Sequence, residues 1–190
     1  MSKSAGKVFV ITGPSGVGKG TLISGLLDRA DGLEMSVSAT TRKPRKGEVD
    51  GREYHFLSPS EFDDRVGTGE FLEHAAYSGH QYGTLRSEVD ARLDAGVSVV
   101  LEIELQGARQ IRESMPAAVQ IFIAPPSAAD LRSRLVGRGT DSPEAIEERL
   151  RTAETELAAQ GEFPNVIVND DVQTAREELI ALVQTELPLD

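Results

Sequence analysis

At 190 residues the chain is long enough to bury a full apolar core, and with no cysteine it uses neither disulfides nor thiolate chemistry. Its 20 Lys and Arg against 31 Asp and Glu leave a net charge of −11, which argues against general binding to nucleic acid or to an anionic membrane. No run approaches the ~20 apolar residues of a membrane span, and the start MSKSAGK lacks the apolar stretch of a signal peptide, so a cytoplasmic location is expected.

In chain order, KVFVIT (7–12) predicts a buried strand and GTLISGLLDRA (20–30) a helix with apolar residues at helical spacing. Residues 36–87 break the pattern. They are rich in Thr, Gly, Tyr and charge, with strand-like pieces SVSAT, EYHF and EFLEHAAY and a helix opening at SPSEF, and they read as an inserted lobe. Beyond a helical LRSEVDARLDAG, the runs GVSVVLEIEL (96–105) and AVQIFIA (118–124) predict parallel strands covered on both faces, with the helix QGARQIRES between them. A second insert pairs two helical patterns around GRGTDSP, where Ser142 and Pro143 mark a helix start. The strand NVIVN (165–169) and a last helix, VQTAREELIALVQTEL, complete an alternation that predicts a doubly wound α/β sheet.

The segment GPSGVGKGT, Gly13–Thr21, sits between the first strand and the first helix. Gly13, Gly18 and Lys19 fit GxxxxGK, in which glycines let backbone amides approach a polyphosphate and the lysine reaches its outer oxygens. That makes Gly13, Pro14, Ser15, Gly16, Val17, Gly18, Lys19, Gly20 and Thr21 the candidate phosphate loop of an ATP or GTP user. The strict pattern has Ser or Thr after the lysine, but Gly20 stands there, so Thr21 is the candidate hydroxyl for Mg²⁺, an ion otherwise held through waters and phosphate oxygens. Strand periodicity puts Glu102 and Glu104 on one face at the carboxyl end of VVLEIE, where such sheets bind ligands. All five lysines lie at or before Lys46, and every later formal cation is arginine, the residue suited to bidentate phosphate contact.

Four further segments name an acceptor. SATTRKPRKGEVDGREYHF (38–56), EFLEHAAYSGHQYGT (70–84), LEIELQG (101–107) and the pair IFIAPPS and LRSRLVGRGTD (121–141) resemble guanylate kinase, with the likeness running in order from about residue 7 to 170. The resemblance implies a P-loop nucleoside triphosphate hydrolase-like three-layer fold: a core of residues 1–35, 88–127 and 156–190, a GMP-binding lobe at 36–87 and a lid at 128–155. It implies phosphoryl transfer from MgATP to GMP or dGMP. Arg42 and Arg45 then grip the GMP phosphate, with the hydroxyls of Tyr54 and Tyr82. Glu73 and Glu104 accept the guanine N1 and N2 hydrogens, and the Ser38 and Thr84 hydroxyls approach the guanine edge. Most of the family has Asp where Glu104 stands. Glu102 helps order magnesium-bound water.

Arg134, Arg138 and Arg149 become the candidate lid cations, with Arg138 near the ATP end and Asn169 near the adenine. Helix spacing places Asp130 four residues before Arg134 and Glu147 four before Arg151, whereas Arg149 has Ala145 and Ala153 at those positions. Two other readings stay open, a phosphopeptide-binding module on the same fold and a kinase for another small phosphate acceptor. Monomer and homo-oligomer are both compatible with the sequence.

Overall fold

The computed structural model describes residues 6–77, 79–137 and 143–187; Arg138 and Ser142 lie outside the described residues. Strand β1 (Val8–Thr12) runs through the glycine loop into α1 (Lys19–Leu27) and then β2 (Leu33–Met35). The next stretch gives β3 (Ala39–Thr40), β4 (His55–Phe56), α2 (Pro59–Gly67), β5 (Phe71–Tyr77) and β6 (His80–Leu85). Helix α3 (Arg86–Asp94) returns to β7 (Ser98–Glu102), α4 (Leu105–Ser114) and β8 (Val119–Ala124). Helices α5 (Ala128–Gly137) and α6 (Pro143–Ala158), then β9 (Asn165–Val168) and α7 (Val172–Glu186), end the described chain.

Five strands form one parallel sheet in the order β2-β7-β1-β8-β9. Central β1 is buried along its whole length, and side chains alternate between two cores. Phe9 and Ile11 pack with Leu22, Leu26, Leu179 and Val183 from α1 and α7. Val8 and Val10 face the other way, onto Leu101, Ile111, Phe122 and Phe163. Helices thus cover both faces, as β-branched runs without alternation predict. Chain entry into β1 and departure from β7 and β8 on either side of it leave a crevice at the carboxyl ends of these strands.

The second sheet has the order β4-β3-β6-β5, parallel between β3 and β4 and antiparallel elsewhere. Its own apolar cluster is small: Ala39, Phe62, Phe71 and Leu85. Phe62 stacks on Phe71 with ring centroids 4.4 Å apart. A capping box fixes the start of α2, with Ser58 Oγ accepting from the Glu61 N–H and the Glu61 carboxylate accepting from the Ser58 N–H. Gln110 of α4 joins the two sheets: its amide donates to His74 O at 2.8 Å and accepts from His74 N–H at 3.1 Å.

Two strand expectations change. GVSVVLEIEL yields only Ser98–Glu102 as strand, because Glu104 is the residue that starts α4, its carbonyl accepting from Ala108 N–H at 3.0 Å. Glu104 is therefore a loop residue, not the next inward position of a strand. SVSAT contracts to Ala39–Thr40, and the edge strand Leu33–Met35 has no counterpart in the sequence reading.

Phe62 is fully buried in a cluster of four residues, so Phe62→Ala is expected to cost about 3–5 kcal/mol, localised to the second sheet. Native-state hydrogen exchange should show amides of β5 and β6 losing protection while those of β1 and β8 keep theirs.

Candidate functional site

The glycine loop is shaped by one close approach. Gly13 has φ +138°, and a Cβ there would lie 2.2 Å from the Ile123 carbonyl oxygen of β8. No other residue fits both the conformation and the space. At the loop's far end Gly18, at φ +101°, is the N-cap of α1 and supplies no side-chain cap. The first amides of α1 therefore point unshielded toward any anion in the crevice. Asn169 braces this turn, its Nδ2 donating to Val17 O at 2.7 Å, and Arg134 donates to Asn169 O at 2.7 Å and to Val17 O at 3.3 Å. Buried Lys19 folds back, its Nζ donating to Gly13 O at 2.5 Å and Pro14 O at 3.3 Å.

A cavity of about 670 Å³ opens in front of the loop and extends to the second sheet. Ser15, Gly16, Gly18, Lys19, Gly20 and Thr21 line its floor. Ser38, Tyr54, Glu73 and Tyr82 line the opposite wall, and Glu102 and Glu104 lie between. Gly13, Pro14 and Val17 are buried behind the loop.

Glu73 is 5% exposed and its Oε1 accepts from the Thr84 hydroxyl at 2.7 Å, with Thr84 itself fully buried behind it. Burial, with a smaller push from Glu104, raises the Glu73 carboxyl to about 7. This tight seat exists because residue 107 is glycine: a Cβ there would lie 2.4 Å from Glu73 Oε2. Glu102 is solvent-accessible through the cavity yet crowded by protein; desolvation raises its pKa, opposed by the Lys19 charge and reinforced by Glu104. Neither Glu102 nor Glu104 pairs with an arginine among the described residues.

Arg42 makes a bidentate pair with Glu48, at 3.0 and 2.9 Å, with its guanidinium carbon 5.3 Å from the Tyr54 ring centre. Tyr54 and Tyr82 meet edge to face at 6.0 Å. Arg45 is exposed, its backbone N–H donating to the Glu48 carboxylate at 2.7 Å and its carbonyl accepting from the Glu48 N–H at 3.1 Å. Arg134 is bonded to the glycine-loop turn, not to Asp130, whose carboxylate takes the Ser127 hydroxyl instead. Glu147 pairs with Arg132 on the neighbouring helix and not with Arg151. Arg149 Nη2 donates to Ser15 Oγ at 2.7 Å, so α6 reaches the glycine loop.

Four residues here escaped the sequence reading. Arg52 and Tyr77 line the cavity, Gly107 makes room for Glu73, and Glu156 is buried beside Glu104. For Glu156 a signal existed: it shares a helical stripe with Arg149 and Ala153, two opposite charges set on the face that also carries Leu150 and Leu157.

Comparison with known proteins agrees with this geometry. A family model described as guanylate kinase matches residues 5–186. The guanylate kinase of Frankia casuarinae is 55% identical over 174 residues, covering 92% of this chain and 95% of its own. That of Mycobacterium tuberculosis is 48% identical over 187 residues, covering 97% and 90%. The crystal structure of guanylate kinase from Anaplasma phagocytophilum superposes with a TM-score of 0.78 at 35% identity, covering all of this chain and 90% of that one. The SH3-kinase fragment of tight junction protein 3, at 10% identity and a TM-score of 0.52, shares the fold alone. A glycine loop and a carboxylate-lined wall facing each other across one cavity, with this likeness over nearly the whole length, place the chain in the guanylate kinase family.

Proposed function

We infer that this protein transfers the terminal phosphoryl group of ATP to GMP, giving ADP and GDP, in the cytoplasm. The observation that carries the reading is the single cavity with Lys19 and bare helix amides on its floor and the buried Glu73–Thr84 pair on its wall. In this reading residues 36–87 bind the acceptor, 128–155 form the lid, and the remainder carries the triphosphate.

The chain's own residues divide the work. Amides of the loop and the α1 N-terminus bind the β and γ phosphates, and Lys19 exchanges Gly13 O for a phosphate oxygen. Glu73, with Glu104, accepts from guanine N1–H and N2–H; adenine lacks that donor pair and leaves the carboxylates unmatched. Arg42, flanked by Tyr54 and Tyr82, receives the acceptor phosphate, with Arg45 beside it. That phosphate is already anionic, so no protein base removes a proton. Alignment and neutralisation by Lys19 and Arg149, with water excluded by α6, supply the catalysis.

Mg²⁺ belongs with ATP. Among the described residues no group of three or more acidic or histidine side chains could hold a metal alone, which suits an ion that arrives on phosphate oxygens. The exposed Thr21 hydroxyl lines the cavity and would contact the ion or its waters; when bound, Mg²⁺ neutralises charge on the phosphates. Beyond residue 20 there is open space, since nothing lies within 4 Å of a Cβ built on Gly20. Gly20→Ser is therefore expected to lower the half-saturating Mg²⁺ concentration several-fold without loss of stability; an unchanged Mg²⁺ requirement in steady-state assays would show that a hydroxyl there is not a ligand.

The acceptor test uses purified protein, MgATP and, separately, GMP, dGMP, AMP, CMP and UMP, with ADP formation followed by a coupled assay. Turnover confined to the guanine nucleotides supports the reading. Comparable turnover with another acceptor moves it to a sister kinase, and none with any acceptor sinks it.

Glu73 also predicts a pH signature. Its native pKa of about 7 exceeds the ordinary 4.5, so unfolding releases a proton between those values and stability falls as the pH rises from 4.5 to 7. Glu73→Gln removes that penalty. It should stabilise the protein by up to about 3 kcal/mol above pH 7 and by nothing near pH 4, while weakening GMP binding at every pH. In the wild type, GMP affinity should strengthen as Glu73 ionises through pH 7. Thermal melts and calorimetric titrations across pH 4–8.5 check both.

A further inference from the structure

Helix α6 brings a further carboxyl up against the site, one that neither phosphate binding nor base reading uses. Glu156 is 6% exposed, and its Oε2 has no hydrogen-bond partner among the described residues. The groups that face it come from three other elements: the Glu104 carboxyl at the β7–α4 junction, the Ser15 backbone amide of the glycine loop and the Lys19 ammonium of α1. Tyr77 of β5 lies in the same field, close to Ser15, Glu104, Glu156 and Arg149. Two turns earlier on the same stripe Arg149 donates to Ser15 Oγ at 2.7 Å. Thus α6 reaches Ser15 of the glycine loop through Arg149, with the Glu156 carboxyl buried close by.

Two carboxyl groups in contact in a buried place do not both stay ionised; one keeps a proton and donates it to the other. Burial and the Glu104 charge hold the Glu156 carboxyl well above the usual carboxylate range.

We propose that Glu156 is a positioning residue for base recognition: as a neutral acid it donates to the Glu104 carboxylate and accepts from the Ser15 amide, seating α6 on the glycine loop and aligning Glu104 toward the acceptor base. This rests on the reading in which Glu104 accepts from guanine. It couples the seating of α6 to base reading, because the group that orients Glu104 belongs to that helix. Above the Glu156 pKa the two like charges repel and the alignment fails.

Glutamine tests it, since its amide N–H can donate to Glu104 and its amide oxygen can accept from Ser15. Steady-state kinetics of wild type, Glu156→Gln, Glu156→Ala and Glu104→Ala are measured with GMP and AMP from pH 6 to 9.5. Expected are a GMP KM near the wild-type value for Glu156→Gln at pH 7.5, a rise of about tenfold for Glu156→Ala with kcat at saturating GMP far less changed, and loss in Glu156→Gln of an alkaline rise in GMP KM seen in wild type. Titration of GMP itself acts alike on both proteins, so the difference between their profiles is the readout. Glu156→Gln as impaired as Glu156→Ala, or pH profiles that coincide, overturns the proposal. If Glu156→Ala does not fold, the Glu156→Gln profile decides alone. Glu104→Ala separates the underlying reading: unchanged discrimination of GMP from AMP there overturns the role of Glu104, whereas lost discrimination with a harmless Glu156→Ala overturns only the role of Glu156.

Discussion

The carboxyl end of β1 must turn within contact distance of the Ile123 carbonyl of β8, and only a residue without a side chain can do so. Everything at the site follows from that approach. Because Gly13 hugs β8, the loop stays low, α1 starts directly above the sheet, and its first amides open into the crevice instead of being capped. The same closeness lets Asn169, at the end of the neighbouring β9, reach Val17 O, and lets Arg134 clamp both. The anion site is thus a product of parallel-sheet packing, assembled from backbone and stiffened from the far side by two polar side chains.

Facing that electropositive floor is a wall of acid. Glu73, Glu102 and Glu104 line one cavity, with Glu156 buried behind Glu104, in a protein whose net charge is −11. Such crowding is unfavourable for folding, and the structure relieves it in different ways at different positions. Thr84 donates to Glu73, the Lys19 charge offsets Glu102, and burial beside Glu104 raises the Glu156 pKa so that its charged form is disfavoured. In the proposed reading a donor-rich base relieves this crowding, so the cost of the empty wall and its selectivity have one origin.

The sequence made the glycine loop, the parallel core and the inserted lobe legible because each has a local signature: GxxxxGK between apolar runs, β-branched strands, aromatic and charged segments of known order. What escaped was set by tertiary contacts. Leu33–Met35 is too short for any periodicity and becomes a strand only because β7 offers it an edge. Glu104 shares the spacing of an inward strand residue with Glu102, but the start of α4 takes it out of the strand while leaving its side chain in the cavity. Helix spacing offered Asp130 to Arg134 and Glu147 to Arg151, but the fold ties Arg134 to Val17 and Asn169 and pairs Glu147 with Arg132 across helices, since i,i+4 surface pairs are weak. Gly107 reads as an ordinary glycine in LEIELQG until the Glu73 carboxylate is seen against it.

The pair formed by Arg42 and Glu48 has a consequence of its own. Their side chains are only 11% and 17% exposed, so the guanidinium is not waiting in water for a partner. It already holds a carboxylate in the two-pronged geometry a phosphate would use. An anion that docks there enters by exchange, and its net gain is the difference between two similar ion pairs. Glu48 therefore acts as an internal counter-ion that ties the turn from Arg42 to Gly47 together, and under the proposed role of Arg42 it would be the group an acceptor phosphate displaces and that takes the guanidinium back on release.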